Sequence, residues 1–136
     1  MQAHAATMLI AVSTAGLFGC TTAPSGADAG AYPARYREIA QSYLKTTLFD
    51  PYSARDFQVA SPKVGQMNIP GTFSIETGWL VCYRGNAKNR MGAYTGVKDS
   101  AMLIRNDNVI TSNEDPNHYE VRTNCRDVKY EPISLS

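Results

Sequence analysis

The chain has 136 residues, with thirteen Lys and Arg against twelve Asp and Glu, so its formal net charge is +1. Charges that nearly cancel argue against a general nucleic-acid binder, which carries a clear basic excess, and they provide no overall field for steering charged ligands. After the first 31 residues, about 105 residues remain, which suits one small domain.

The N-terminus carries an apolar stretch that ends in a cysteine. Residues 5–19 carry no charge, and Leu17-Phe18-Gly19-Cys20 closes the stretch. About 15 such residues make roughly 22 Å of helix. That is shorter than a hydrocarbon core of ~30 Å, so a permanent transmembrane helix is disfavoured. An ordinary secretory signal followed by a chance cysteine is the alternative to a membrane anchor.

Leu17 to Cys20 resemble the lipobox of bacterial lipoproteins. The resemblance implies that residues 1–19 are a cleaved signal peptide and that Cys20 receives a diacylglyceryl group and an acylated (palmitate) N-terminus. Phe18 is unusual within this motif, and residues 1–4 lack the expected Lys or Arg. In Gram-negative lipoproteins Asp at the position of Thr21 favours the inner membrane, so Thr21 implies an outer-membrane lipoprotein facing the periplasm. Two or three acyl chains would anchor the domain stably.

The segment after the cysteine predicts a flexible spacer. Thr21 to Ala31 is rich in Ala, Gly, Ser, Thr and Pro, and it contains no large aliphatic side chain. The expected organisation is therefore a signal peptide over 1–19, the lipidated cysteine with its linker over 20–31, and a single α+β domain over 32–136.

Two cysteines remain in the mature chain, Cys82 and Cys125. In an oxidising compartment an isolated pair favours a disulfide. Such a bond would contribute up to about 4 kcal/mol on the chain-entropy account. Two reduced, buried cysteines that act as small hydrophobes are the alternative. Because His118 is the one histidine left after processing and no C-x-x-C spacing occurs, we predict neither a metal site nor a cofactor.

The clearest periodic signal predicts a helix from Pro33 to Leu48, with Pro33 in its first turn. Apolar residues recur at steps of three and four and form one stripe: Tyr36, Ile39, Ala40, Tyr43, Leu44 and Leu48. Asp50-Pro51 ends the helix, because proline disfavours helical geometry in the residue before it.

After the helix the pattern becomes that of strands. Alternation and β-branched or aromatic content predict strands at Phe57–Ala60, Thr72–Arg84, Ser100–Arg105 and Val109–Ser112, with a loop at Gly65–Gly71. Asn106 to Asn108 indicate a hairpin turn, and His118–Cys125 fits either a strand or a short helix. In the second strand Cys82 faces away from Trp79, and Gly78 suggests a bulge. The predicted fold is α+β, with one N-terminal amphipathic helix packed on a small antiparallel sheet.

Two segments carry a second resemblance. They are 50–57 (DPYSARDF) and 81–96 (VCYRGNAKNRMGAYTG). The chain resembles a family of small uncharacterised proteobacterial envelope and phage-associated proteins with D-P-x-S-A-x-F-like and V-C-x-x-x-N-A-K-N-x-x-G-x-Y-x-G motifs. The first segment departs from its motif by one extra residue between Ala54 and Phe57. The resemblance covers roughly residues 36–112 and implies a shared fold, but it brings no activity.

The longer segment has two interpretations. As a binding loop, it would offer Tyr94 as a flat platform and basic side chains for anionic groups such as peptidoglycan carboxylates or lipid phosphates. The candidate binding residues are Arg84, Lys88, Asn89, Arg90 and Tyr94, with Lys98 beside them. As a structural connection, it would use Gly92 and Gly96 for positive φ and its asparagines for capping turns.

A catalytic set is not indicated. His118 has acidic neighbours but no nucleophile motif near it, and we expect a surface role for it. We therefore predict a non-enzymatic envelope lipoprotein, a binding or structural module without catalytic residues. It would meet the membrane through its lipid anchor, and peptidoglycan or another envelope protein through its domain. The alternative function is inhibition of a hydrolase such as lysozyme, with the basic loop entering an acidic cleft.

Overall fold

The computed structural model describes residues 22–23 and 25–136, so Cys20 and the predicted signal peptide lie outside the described residues. Within them the fold is α+β, as predicted. The helices are α1 (Gly26–Ala29), α2 (Tyr36–Thr47) and α3 (Tyr119–Asn124), with a 3-10 turn at Pro51–Ser53. The strands are β1 (Arg55–Ala60), β2 (Lys63–Asn68), β3 (Ile75–Asn86), β4 (Lys98–Arg105), β5 (Asn108–Asn113) and β6 (Tyr130–Pro132).

The sheet is antiparallel and is organised around the long strand β3. Its order is β5-β4-β3-β1-β6, and β2 also pairs with β3. β1 pairs with the end of β3 and β2 with its beginning, so β1 and β2 follow one another along the same side of β3. Ser61-Pro62 separates them. β3 therefore runs the length of the domain, from the β2–β3 hairpin to the segment that begins at Gly85.

Each face of the sheet is covered by a helix. Ala40 and Leu44 of α2 pack with Val81 and Tyr83 of β3 in one core. Val121 of α3 packs in the other. The second core also contains Leu80 and Cys82 of β3 and Cys125, so Cys82 faces away from Trp79, as the alternation predicted. All six residues of the predicted helical stripe belong to the first core or pack against it.

The disulfide Cys82–Cys125 is present, with a Cα–Cα distance of 5.6 Å. It joins β3 to the end of α3 and lies within the second core, where both cysteines are buried. The segment 118–125, which alternation left as strand or helix, forms α3 from Tyr119. The bond thus holds α3 against the sheet. A helix of six residues would have little stability by itself.

Three sequence expectations were wrong in detail. Pro33 lies before α2 rather than in its first turn, because the helix begins at Tyr36 and Pro33 supplies only a carbonyl to the Tyr36 N–H. The predicted loop at Gly65–Gly71 is strand β2 as far as Asn68. Gly78 is not a bulge: it pairs regularly with Gly65, and a Cβ there would lie 2.8 Å from the Ile104 carbonyl oxygen.

The predicted spacer is packed in its last part. Ala29 is fully buried, and the Trp79 indole N–H donates a hydrogen bond of 3.0 Å to the Gly30 carbonyl. Tyr32 meets the Trp79 ring edge-on, with centroids 5.0 Å apart. The composition of the segment wrongly predicted flexibility throughout. Small residues can also pack, because a buried alanine and a glycine carbonyl bonded to tryptophan need no large side chain. The folded domain therefore begins before residue 32.

Candidate functional site

The two segments that carry the second resemblance meet at one end of the sheet. The backbone N–H of Lys88 donates to the Ser53 hydroxyl oxygen at 2.8 Å, and the Tyr94 hydroxyl donates to the Ser53 carbonyl at 2.9 Å. Ser53 is itself held by Asp50, whose side chain accepts from the Ser53 N–H at 3.2 Å and whose carbonyl accepts from the Ser53 hydroxyl at 2.7 Å. The 3-10 turn and the loop 85–96 therefore form one unit.

Tyr94 is packed into this unit and is not a free platform. The Arg55 guanidinium lies 4.5 Å and the Lys88 ammonium 5.7 Å from the centre of its ring. Attraction between cations and the ring face keeps two positive charges close together at this end of the molecule. The hydroxyl of this ring is bonded to the 3-10 turn through Ser53.

The tip of the loop is shaped by its own polar groups. Asn89 uses its side-chain oxygen to accept from the N–H groups of Met91 and Ala93, at 2.9 and 3.1 Å. Gly92 and Gly96 have φ values of 76° and 93°, in the left-handed region that favours glycine. These features are those of the structural connection that the sequence predicted as one of two interpretations. The side chains of Arg90 and Met91 are left exposed at the tip.

A β-bulge accommodates the extra residue of the first segment. Arg55 pairs with Asn86 and Gln58 pairs with Arg84, so two residues of β1 lie opposite the single residue Gly85. Asp56, within the bulge, has a φ of 55°.

The bulge brings Phe57 onto the backbone of Gly85. A Cβ at Gly85 would lie 2.4 Å from the Phe57 ring, so only glycine leaves room for the ring there. The extra residue between Ala54 and Phe57 therefore does not remove Phe57 from the core.

A pocket of about 370 Å³ lies between this unit, the end of α2 and the start of β4. Leu48 and Phe57 supply apolar wall, while Lys88, Lys98 and Glu114 supply charge. Among the described residues, neither lysine forms an ion pair with a carboxylate. Lys98 and Glu114 thus bring one positive and one negative charge to the pocket, while the Lys88 ammonium lies over the Tyr94 ring.

The buried Tyr83 and the exposed Glu114 both line the pocket. The buried Tyr83 hydroxyl donates to a Glu114 carboxylate oxygen at 3.5 Å. Burial raises the pKa of Tyr83 well above its ordinary value of 10.0, and the nearby Glu114 carboxylate raises it further. Tyr83 therefore stays a neutral donor at physiological pH.

Arg84 does not join the other candidate binding residues. It lies on the opposite face of β3, where its Nε donates to the Gln58 side chain at 2.8 Å and its guanidinium stacks 4.2 Å from the Tyr130 ring centre. Neighbouring residues of a strand point to opposite faces. The candidate binding residues are therefore separated: Arg84 belongs to β3 and faces one way, whereas the others belong to the loop that follows β3.

His118 caps helix α3 instead of starting a strand. Its Nδ1 accepts a hydrogen bond of 3.4 Å from the Glu120 N–H and lies 3.6 Å from the Glu120 carboxylate. The buried Glu120 in turn accepts from the backbone and side-chain N–H groups of Asn68, at 2.8 and 2.7 Å. Glu120, one of the acidic neighbours of His118, therefore belongs to a polar contact between α3 and β2.

Sequence reasoning missed Ser53 and Glu114 as parts of the site. The signal for Ser53 was Asp50 before Pro51, because an aspartate side chain at the start of a turn caps the N–H that lies three residues later. Glu114 was considered only beside His118. No signal in the sequence predicts that its carboxylate accepts a hydrogen bond from the Tyr83 hydroxyl, because that contact depends on the β4–β5 hairpin.

No family model, curated protein or solved structure gives a significant match to this chain. Both resemblances therefore stay predictions. The described residues contain no cluster of His, Cys, Asp and Glu suited to holding a metal ion. Nor does any helix within them combine the length and the apolar character needed to cross a bilayer.

Proposed function

We propose that this chain is a lipoprotein of the outer membrane, facing the periplasm, whose domain binds an envelope component and catalyses no reaction. The lipobox-like Leu17–Cys20 supports the anchor, and the disulfide Cys82–Cys125 suits an oxidising compartment. The observation that carries the binding role is the pocket lined by Lys88, Lys98 and Glu114, formed where the two motif-bearing segments meet.

Metabolic labelling tests the anchor. We expect labelled palmitate to enter the wild-type protein and to be absent from Cys20→Ala. The double variant Cys82→Ala with Cys125→Ala is the matched control, because it also loses cysteines but keeps the predicted acylation site. Equal labelling of wild type and Cys20→Ala would remove the anchor from the proposal.

The pocket favours a ligand with carboxylates and an amino group. Lys98 can donate to a carboxylate, Lys88 can do the same once its ammonium turns away from the Tyr94 ring, and Glu114 can accept from an ammonium. Leu48 and Phe57 can cover the aliphatic part of such a ligand. The stem peptide of peptidoglycan carries all three features, and we propose it as the ligand.

Titration with soluble peptidoglycan fragments tests this ligand. Binding to the folded domain, followed by NMR shifts or calorimetry, should weaken about tenfold in Lys98→Ala, equivalent to about 1.4 kcal/mol. Lys129→Ala removes an equal charge from an exposed site outside the pocket and should bind as wild type does. Equal weakening in both variants, or no binding by the wild type, would contradict the proposed ligand.

Inhibition of a hydrolase is the second candidate, because Arg90 and Met91 are exposed at the loop tip, where the Arg90 guanidinium lies 6.0 Å from the centre of the Phe49 ring. An exposed arginine suits the acidic cleft of lysozyme. The purified domain should then slow lysozyme, and Arg90→Ala should relieve the inhibition. Lack of effect at micromolar protein would dispose of this candidate while leaving the pocket untouched.

A further inference from the structure

The hairpin between β2 and β3 ends in an apolar tip. Residues 64–75 contain no charged side chain. Phe73 is fully exposed at the tip, and Ile75 is 60% exposed beside it. Two exposed apolar side chains two residues apart, with no charged residue between them, form a larger candidate contact surface than a single exposed residue does.

The fold does not need Phe73 for the shape of the tip. The turn is held by polar groups, since the Ile69 N–H donates to the Ser74 carbonyl at 3.0 Å and the Thr72 hydroxyl donates to the Ile69 carbonyl at 2.9 Å. The Ser74 N–H also donates to the Thr72 hydroxyl oxygen at 3.1 Å. The ring of Phe73 is therefore held outside an ordered turn.

The start of the described chain lies beside this hairpin. Thr22 and Ala23 line a pocket together with Ile75 and Thr77 of β3, and the charged residues Asp28, Glu76 and Arg105 line it too. Cys20 precedes Thr22 by two residues. Two residues span at most about 7 Å, so acyl chains on Cys20 would enter the bilayer close to this hairpin.

We propose that the tip of the β2–β3 hairpin enters the same bilayer surface that holds the acyl chains of Cys20. The inference rests on the proposed lipid anchor. An uncharged tip with one aromatic ring suits the boundary between headgroups and acyl chains. The domain then stands with β3 directed away from the membrane. The twelve residues of β3 span about 36 Å, so the pocket faces the periplasm well clear of the lipid.

Depth measurements on the lipidated full-length protein test this orientation. The variants are Phe73→Cys at the tip and Met91→Cys at the opposite end, each labelled with an environment-sensitive fluorophore. Both positions are almost fully exposed, so neither substitution should disturb folding. In vesicles of phosphatidylethanolamine and phosphatidylglycerol, we expect a blue shift and strong quenching by a lipid-borne quencher at position 73. At position 91 the fluorophore should behave as in water.

The outcomes separate the orientation from the anchor. Vesicle-bound protein with equal, water-like signals at both positions would overturn the hairpin contact and leave the anchor standing. Protein that stays in the supernatant would overturn both. A label at position 73 that is shielded in native membranes but water-exposed in protein-free vesicles would overturn the lipid contact and indicate a protein partner there.

Discussion

The backbone N–H of Lys88 donates a hydrogen bond of 2.8 Å to the Ser53 hydroxyl, 35 residues earlier in the chain. The same serine also accepts from Tyr94 through its carbonyl. Through these two bonds a short 3-10 turn fixes the position of the loop 85–96, and with it one wall of the pocket. The conformation of the loop therefore depends on a residue outside it.

Replacing Ser53 tests this dependence. Ser53→Ala removes the acceptor for Lys88 and should lower the free energy of unfolding by about 1 kcal/mol. Amide exchange at Lys88 should accelerate. Denaturant unfolding and hydrogen exchange measure the two effects. Ser42→Ala, on the exposed surface of α2, is the matched control and should be neutral or slightly stabilising, because alanine favours helix. Unchanged exchange at Lys88 in Ser53→Ala would contradict the role of the hydroxyl.

Gly85→Ala should destabilise the domain through a clash in the core. The new methyl group would meet the Phe57 ring at 2.4 Å, and Phe57 is buried. Repacking of this kind costs about 1–3 kcal/mol, which chemical denaturation would measure. Gly26→Ala is the control, because a Cβ there meets nothing within 4 Å. If the two alanine variants were equally stable, the close approach of ring and backbone would be wrong.

Asp56 should tolerate glycine but not a β-branched residue. Its φ of 55° lies in the left-handed region, which costs most residues about 1–2 kcal/mol; aspartate visits this region more readily than most, whereas a β-branched residue is an outlier there. Asp56→Val should therefore lower the unfolding free energy by about that amount, while Asp56→Gly should not. Thermal melts of both variants give the comparison. Equal losses would mean that the bulge does not constrain φ at this position.

The sequence predicted those elements whose pattern is long and regular. The stripe on α2 and the alternation along β3 each repeat often enough to specify type and face, and Asn106 and Asp107 have the positive φ expected of a hairpin turn. β2 was missed because Gly65 breaks its apolar pattern. In the structure Gly65 is a strand residue that leaves space for Leu80, whose Cβ would lie 3.0 Å from a Cβ there.

The candidate site was predicted less well than the fold. Lys88, Asn89, Arg90 and Tyr94 do lie together, since they are neighbours in one loop, but their role in the loop differs from residue to residue. The partners that decide those roles, Ser53 and Glu114, come from distant segments. Their positions follow from the pairing of β1 and β4 with β3, which local patterns do not encode.

Loss of the disulfide should lower stability substantially. Cys82 and Cys125 close a span of 43 residues, for which the chain-entropy account gives up to about 4 kcal/mol. The double variant Cys82→Ala with Cys125→Ala should unfold at a lower urea concentration than the oxidised wild type. Its free energy of unfolding should be about 2–4 kcal/mol smaller. Because both cysteines are buried, reductant should act on the wild type mainly after unfolding. Identical midpoints for the variant and the oxidised wild type would contradict a stabilising bond.

Stability should fall at alkaline pH because of Tyr83. In the unfolded chain this phenol loses its proton near its ordinary pKa of 10.0, whereas burial raises the pKa in the folded protein. Above about pH 10 the unfolded state therefore binds fewer protons than the folded state, and the unfolding free energy declines with rising pH. One such group contributes up to about 1.36 kcal/mol per pH unit.

Urea unfolding as a function of pH measures this contribution. Tyr83→Phe should flatten the alkaline decline while leaving the stability at neutral pH little changed, since the bond to Glu114 is long. Part of the decline should persist in this variant, because burial and Asp99 also raise the pKa of Tyr130. Tyr52→Phe removes a fully exposed phenol and should follow the wild-type profile. A Tyr83→Phe profile that is parallel to wild type above pH 10 would exclude Tyr83 as the source.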